Sequence, residues 1–261
     1  MEDNAIKEYG TDERRNKITE ILNKKGKVKV NQLSKMFGIS EVTIRNDLAK
    51  LESMGMLERV HGGAVSTYRA YYRMSISERM KTNADEKRRI ATEVASMLSD
   101  DDTLMISSGT TSLYVLEELK KLRNLTVVTN AIYFSQESAN SRDLNIILLG
   151  GIVDPKDQLT YGDDVINQLK RYKADKFILS VDGVNCDDGI STYHYLDAEI
   201  NRQMIARAKK TIVVADYTKI GRIGFAHISP LEDIDILITN KNINEDEIQE
   251  IKDRGVEVRL I

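Results

Sequence analysis

The chain has 261 residues, of which 41% are hydrophobic and 30% charged, and a net charge of −3; this is the balance of a soluble globular protein long enough for two domains. Two prolines, a single cysteine and no low-complexity run argue against a long disordered tail, an internal disulfide and an oxidising compartment. The start, MEDNAIKEYG, lacks the apolar core of a signal peptide, and no apolar run approaches the ~18 residues of a membrane span, so a cytoplasmic protein with no membrane partner is expected.

After a polar tail over residues 1–11, the segment 12–63 holds eleven Lys/Arg against seven Asp/Glu, a net of +4 that leaves −7 for the rest. A basic head on an acidic body directs one end of the chain toward polyanions. Within the head, Ile18, Ile21 and Leu22 recur at helical spacing until the lysine-rich NKKGK stops the pattern at Gly26. In VNQLSKMFG, Asn31 is the expected N-cap, Leu33, Met36 and Phe37 the apolar face, and Gly38 the stop. Only Gly38 and Ile39 separate this from SEVTIRNDLAKLESMG, where Ser40 is a good N-cap. Helix, short turn, helix is the spacing of a helix-turn-helix.

On a wheel of ~100° per residue, Ile44, Leu48 and Leu51 of the second of these helices fall together, facing a core. Val42, Asn46 and Ala49 fall opposite, with Thr43 and Arg45 on the flanks. Such a small, polar, cationic face suits a recognition helix in a DNA major groove, where Asn pairs with adenine and Arg with guanine or a phosphate. MLERVHGGAV then runs from an extended stretch into a double glycine, the pattern of a β-wing with Arg59, His61 and Gly62 near the DNA backbone. A merely solvated three-helix bundle explains the lysines but not the agreement of turn spacing, capping, charge and wing. A DNA-binding domain over residues 12–65 is therefore expected, its partner a double-stranded operator.

A linker over 66–85 follows, with Tyr68, Tyr71 and Tyr72 expected to pack between domains or subunits. Beyond it, the apolar runs Thr103–Ile106, Leu125–Val128, Asn145–Leu149, Phe177–Val181, Thr211–Val214 and Asp235–Ile238, with Val256–Leu260 as a seventh, alternate with helical patterns near 86–99, 112–121, 131–140, 163–171, 195–208 and 244–252. This alternation predicts an α/β domain over 86–261 with a Rossmann-like parallel sheet covered on both faces.

The polar residues that close the runs are informative. They are Ser107-Ser108-Gly109-Thr110-Thr111, Thr129-Asn130, Gly150-Gly151, Asp182-Gly183, Asp216 and Thr239-Asn240. One such end is an ordinary loop start, but ligands of open α/β sheets bind outside the carboxyl ends of the strands. In TLMISSGTTS the hydroxyls gather at a glycine before a helical pattern, the layout of an anion cradle at a helix N-terminus. A small-molecule site is expected there, its specificity set by loops such as 152–162 and 184–196. The histidines His61, His194 and His227 are far apart and Cys186 has no CxxC partner, so neither metal nor cofactor is expected; His194 reads as a loop histidine. Asp182, Glu199 and Lys219 could form an acid, base and electrostatic stabiliser for aldose–ketose isomerisation, although Glu199 in YLDAEINRQM also reads as a helix surface charge.

Ser40-x-x-Thr43-Ile44-Arg45-x-Asp47-Leu48-x-x-Leu51-x-x-x-Gly55, followed by Arg59-Val60-His61-Gly62-Gly63-Ala64, resembles the DNA-binding signature of the DeoR family of bacterial transcription regulators. That family usually has a second arginine where Asn46 stands. Glu86-Lys87-x-x-Ile90-Ala91, Ser108-Gly109-Thr110-Thr111, Thr129-Asn130, Leu149-Gly150-Gly151, Asp182-Gly183, Ala198-Glu199 and Asp216-x-x-Lys219 are similar to its sensor domain, so the likeness spans residues 14 to 240. The resemblance implies a winged helix-turn-helix joined to a domain with the fold of ribose-5-phosphate isomerases and CoA transferases, which senses a phosphorylated sugar. Gly109, Thr110 and Thr111 would hold the phosphate, Asp182, Asp216 and Lys219 would contact the sugar or its phosphate, and Arg79 and Lys87 would lie near the effector. Isomerases of this fold carry a second acid just after their Asp-Gly pair; here Val184-Asn185 follows, and asparagine moves no proton near pH 7. The expected protein is not an enzyme but a homodimeric or homotetrameric repressor of a carbohydrate-utilisation operon. The alternatives are an isomerase-like enzyme and an activator that responds to another metabolite.

Overall fold

The computed structural model describes residues 9–25, 27–53, 56–66, 74–138, 143–241, 243 and 245–261. The chain divides into two compact units, Met1–Asn83 and Ala84–Ile261. In the first, helix α1 (Thr11–Lys25) leads into strand β1 (Lys27–Lys29), α2 (Val30–Phe37) and α3 (Glu41–Ser53). The hairpin β2 (Leu57–Val60) and β3 (Gly63–Ser66) follows, then the short helix α4 (Ile76–Lys81). Ile18, Leu22, Leu33, Phe37, Ile44, Leu48, Leu51 and Leu57 form its core. Gly38, at φ 66°, closes α2 in the left-handed conformation and donates its N–H to Ser34, as a helix-ending glycine does. Two residues later Ser40 Oγ accepts the Thr43 N–H at 3.1 Å and caps α3.

Three local expectations are corrected here. Helix α2 starts at Val30, not after Asn31; its N-cap is Lys29, with no side-chain cap bond. The reason is packing, because Val30 is itself buried and β1 runs straight into the helix. Met36 is 53% exposed rather than part of the apolar face; Leu33 and Phe37, four apart, take the inward stripe. The lysine-rich stop after α1 is followed by a strand, β1, which pairs with β3 to give the sheet order β1-β3-β2. The second glycine of the His61-Gly62-Gly63 turn makes this crossing possible, since a Cβ on Gly63 would lie 2.0 Å from the Val28 carbonyl oxygen. Within the stretch read as linker, α4 is capped by a reciprocal pair: Ser75 Oγ accepts the Glu78 N–H, and Glu78 accepts the Ser75 N–H. Tyr68, Tyr71 and Tyr72 fall outside the described residues.

The second unit runs α5 (Ala84–Ser96), β4 (Thr103–Ile106), α6 (Thr110–Leu119), β5 (Leu125–Thr129), α7 (Tyr133–Ser138), β6 (Leu144–Leu148), β7 (Ile152–Asp154), β8 (Leu159–Tyr161), α8 (Asp163–Leu169), β9 (Ala174–Ser180) and β10 (Gly183–Asn185). It continues with β11 (Gly189–Thr192), α9 (Tyr195–Ile205), β12 (Ala208–Val214), β13 (Ala226–Ser229), β14 (Ile236–Thr239), α10 (Glu245–Asp253) and β15 (Glu257–Leu260). Among the described residues, seven strands form one sheet in the order β15-β14-β12-β9-β4-β5-β6, and every pair in it is parallel. Both faces are covered. Leu104, Ile106 and Ile178 join one core with Ile90, Val115 and Phe134, while Met105, Phe177 and Leu179 join the other with Ile200 and Met204. Alternate residues thus feed opposite cores, which is why these strands read as unbroken apolar runs.

Segments 152–162 and 184–196, expected as loops, contain strands. β7 and β8 form an antiparallel hairpin, and β10, β11 and β13 a separate three-stranded sheet. Strands of three or four residues are too short to show a period, and β13 reaches this sheet from more than thirty residues away. No helix among the described residues is long and apolar enough to cross a membrane.

Candidate functional site

In the first unit, α3 turns Ile44, Leu48 and Leu51 inward and leaves Val42, Arg45 and Asn46 exposed, with Thr43 half-buried beside the exposed Ser40. Arg45 Nη2 lies 2.6 Å from Glu41 Oε2, one turn back on the same helix. Arg59 gives both its backbone N–H (2.9 Å) and its guanidinium (2.7 Å) to Glu52, so it ties the wing to α3. His61 and Gly62 form the exposed turn between β2 and β3. Between this turn and the start of α3 lies a cleft of about 350 Å³ lined by Lys27, Lys29, Asn31, Arg45 and His61, with Glu41 as its acid. Sequence reasoning missed Lys27, Lys29 and Asn31. The only signal was Lys-Val-Lys, in which Val28 is buried and both lysines are exposed.

Sequence reasoning also missed what holds α3 in place. Asp47 is 2% exposed. It accepts from Arg14 at 2.6 Å and Arg15 at 2.9 Å, so the inner face of the helix carries a buried carboxylate clasped by two guanidinium groups of α1. The signal was an Asp on the apolar side of the wheel, between Ile44 and Leu48.

In the second unit, the end of β4 meets the end of β9. Ser107 Oγ accepts the Ser180 N–H at 2.9 Å and donates to the Ser108 carbonyl. Gly109, at φ 137° and ψ 156°, is the N-cap of α6 without a side-chain cap. No other residue fits there, because a Cβ would lie 2.7 Å from Ser180 Oγ and the dihedral disfavours any L side chain. Thr110, Thr111 and Ser112 open the helix, and first-turn amides have no intrahelical acceptor. Their N–H groups and the positive end of α6 favour an anion. All three side chains are buried, and Ser112 Oγ has no hydrogen-bond partner among the described residues.

Two polar clusters adjoin this turn. Asp197, on α9, accepts from Ser108 Oγ (3.0 Å), Asn130 Nδ2 (2.9 Å) and Asn201 Nδ2 (3.3 Å). Burial pushes its carboxyl above the usual range, against the pull of those hydrogen bonds. Asn130, at the end of β5, also donates to the Thr160 carbonyl at 3.0 Å, so it is a structural clasp as well as a candidate contact. Sequence reasoning passed over Asp197 in favour of the neighbouring Ala198-Glu199; Glu199 itself is exposed and paired with Arg202.

The second cluster gathers beyond β9 and β12. Asp182 accepts from Thr192 Oγ1 and the Tyr193 N–H, both at 3.1 Å, and Lys219 Nζ lies 3.8 Å from Asp182 Oδ1. Asp216 caps the single turn Tyr217–Lys219. Burial opposes its ionisation, yet the ammonium groups of Lys219 and Lys87 hold its carboxyl below the usual range. Lys87, on α5, is almost fully buried. Ser108 and Asn130 thus meet at Asp197, beside the turn that carries Gly109, Thr110 and Thr111, while Lys87, Asp182, Asp216 and Lys219 form a second, charged group. Gly151 directly precedes the β7–β8 hairpin and Gly183 opens β10. Arg79 lies on α4, in the first unit.

His194 is not a free loop histidine. It is the N-cap residue of α9, and its Nε2 lies 2.8 Å from Asp154 Oδ2 and 3.8 Å from Asp157 Oδ2. These three side chains bring possible ligand atoms within 4.8 Å of one another, a grouping hidden from the sequence because the aspartates arrive from the hairpin. The shorter distance is that of a direct hydrogen bond pinning the hairpin to the start of α9.

Comparison with known proteins adds an independent line. Residues 14–69 match the family described as the DeoR-like helix-turn-helix domain, and residues 82–241 match the DeoR C terminal sensor domain. The chain is 33% identical over 248 residues to the HTH-type transcriptional regulator GolR of Listeria innocua, covering 95% of this chain and 98% of that protein. It is 31% identical over 254 residues to the putative aga operon transcriptional repressor of Escherichia coli O157:H7, covering 97% and 94%. A solved D-ribose-5-phosphate isomerase in complex with phospho-erythronic acid is 17% identical, covers 52% of this chain and 54% of its own, and superposes with a TM-score of 0.39.

Proposed function

The chain belongs to the DeoR family of DNA-binding transcription regulators, and from that membership we propose that it represses a carbohydrate-utilisation operon until a phosphorylated sugar releases it. It is a regulator rather than an enzyme, as its relatives are named. Residues 12–65 read the operator, through Arg45, Asn46, Val42 and Thr43 in the major groove. Ser40, Arg59, His61 and Gly62 sit along the phosphates, joined by Lys27 and Lys29. Residues 86–261 sense the effector and the stretch 66–85 couples the two. A single winged helix has limited affinity, and operators mirror the symmetry of the protein that binds them; a cytoplasmic homodimer or homotetramer is the working form.

The observation that carries this reading is the start of α6 at Thr110–Ser112, whose first-turn amides lie just after the carboxyl end of β4, with Lys219 and Lys87 gathered about Asp216 after β12. The phosphate lies on the Gly109–Thr111 turn near Ser108. Asp182, Asp216 and Lys219 take the sugar hydroxyls, with Asn130, Gly151, Gly183 and Lys87 around them. A ligand changes operator affinity only by binding one conformation better than another. The test begins with a thermal-shift screen of sugar phosphates, since a ligand at ~100 times its Kd adds ~2.7 kcal/mol to apparent stability. A hit should release the chain from operator DNA in a gel shift. Lys219→Ala should bind the operator as before yet no longer respond; release of that variant by the same metabolite would refute the site.

A further inference from the structure

The anion turn already has an occupant. In the extended conformation of Gly109, φ 137° and ψ 156°, the residue's own N–H and C=O point to the same side. The Tyr133 hydroxyl stands on that side, accepting the Gly109 N–H at 2.9 Å and donating to the Gly109 carbonyl at 3.0 Å. Its ring is buried, with 7% of the residue exposed. It is the first residue of α7, three positions beyond Asn130 at the end of β5, so the sheet fixes where the hydroxyl can reach.

We propose that Tyr133 is a built-in competitor for the anion turn, holding the Gly109 amide in the ligand-free protein and yielding it only to a charged oxygen. This rests on the reading of Gly109–Ser112 as the phosphate site and adds a selectivity rule to it. An amide N–H has one hydrogen and cannot fully serve two acceptors. A phenol oxygen is a neutral acceptor, whereas a phosphate oxygen is ionised and forms a hydrogen bond roughly twice as strong. A sugar hydroxyl offers no such advantage over the tyrosine. The turn therefore discriminates phosphorylated ligands from free sugars and polyols before any contact to the sugar ring is made. Ser112 Oγ, fully buried and without a partner among the described residues, stands 3.9 Å from where a Cβ on Gly109 would lie and supplies a further donor for an incoming oxygen.

The test follows the Gly109 amide resonance of the isotope-labelled full-length chain during titration with inorganic phosphate. Tyr133→Phe keeps the buried ring and removes only the hydroxyl. The variant should melt at a lower temperature without ligand, yet half-saturate at about 2–10-fold lower phosphate, the net contribution of the hydrogen bonds removed. Equal half-saturation in the two proteins would make Tyr133 merely structural and overturn the proposal, leaving the anion site intact. Weaker binding by the variant would make the hydroxyl a ligand contact and overturn it too. A Gly109 resonance that moves in neither protein would bring down the anion site and this inference together. In the unaltered chain the Tyr133 ring signals must shift with the same midpoint as Gly109, and ring signals that stay still also refute displacement.

Discussion

A carboxylate on the inward side of the recognition helix looks at first like a flaw in its apolar stripe. Asp47 is tolerated because Arg14 and Arg15 both reach it, and a charge stays buried only when it is paired. Removing one partner leaves the others uncompensated, so Asp47→Ala should lower the stability of the full chain by about 3–5 kcal/mol in urea denaturation. Arg45 shows the reverse situation. Its ion pair with Glu41 is exposed, and such pairs contribute little, so the guanidinium is easily given up to a base or phosphate. Cys186 is held inert: burial, then hydrogen bonding and repulsion from Glu250, push its thiol from 9.0 up to about 11. Only the thiolate attacks. At pH 8 its modification by a disulfide reagent should therefore run about a hundredfold slower than that of an ordinary thiol, rising with pH until about 11.

Among the elements, β1 has the most consequence for its length. Its three residues bury Val28 and expose Lys27 and Lys29, and pairing with β3 puts both lysines in the cleft beside the wing turn. If they contact phosphates, the double substitution of Lys27 and Lys29 by Ala should weaken specific and non-specific DNA binding alike. It should also reduce the slope of log affinity against log salt by about one unit for each phosphate no longer neutralised, as measured by fluorescence anisotropy over a salt series. An unchanged slope would remove the strand from the DNA interface. Helix α9 has a comparable role in the second unit: Asp197 reaches Ser108 from its first turn, and His194 at its cap holds the β7–β8 hairpin through Asp154. A shift of α9 would be felt both by the Ser108–Gly109 turn and by the hairpin.

At the scale of the whole molecule, the chain divides its charge as it divides its work, with a net of +4 over residues 12–63 and −7 elsewhere. If the second unit weakens DNA binding when it holds its ligand, linkage demands that operator DNA weaken the ligand by the same factor. A coupling of ~1–3 kcal/mol corresponds to ~5–150-fold. Saturating operator should thus raise the ligand half-saturation of the full chain by the factor by which ligand lowers operator affinity; a half-saturation that operator leaves unchanged would show that this ligand does not act on DNA binding. The sequence by itself determined the helix-turn-helix, the wing, the strand–helix alternation and the polar residues closing the strands. Each of these is written in local spacing: the 3.6 period about Ile44 and Leu48, the cap at Ser40, the stop at Gly38, and the unbroken apolar runs of strands covered on both faces. Only the tertiary structure decided that β1 exists, that Asp47 is clasped by α1, that Asp197 and Tyr133 meet the Ser108–Gly109 turn, and that His194 meets Asp154. Those facts join residues from 24 to 89 positions apart, and no local period carries information about a partner that arrives only when the chain closes on itself.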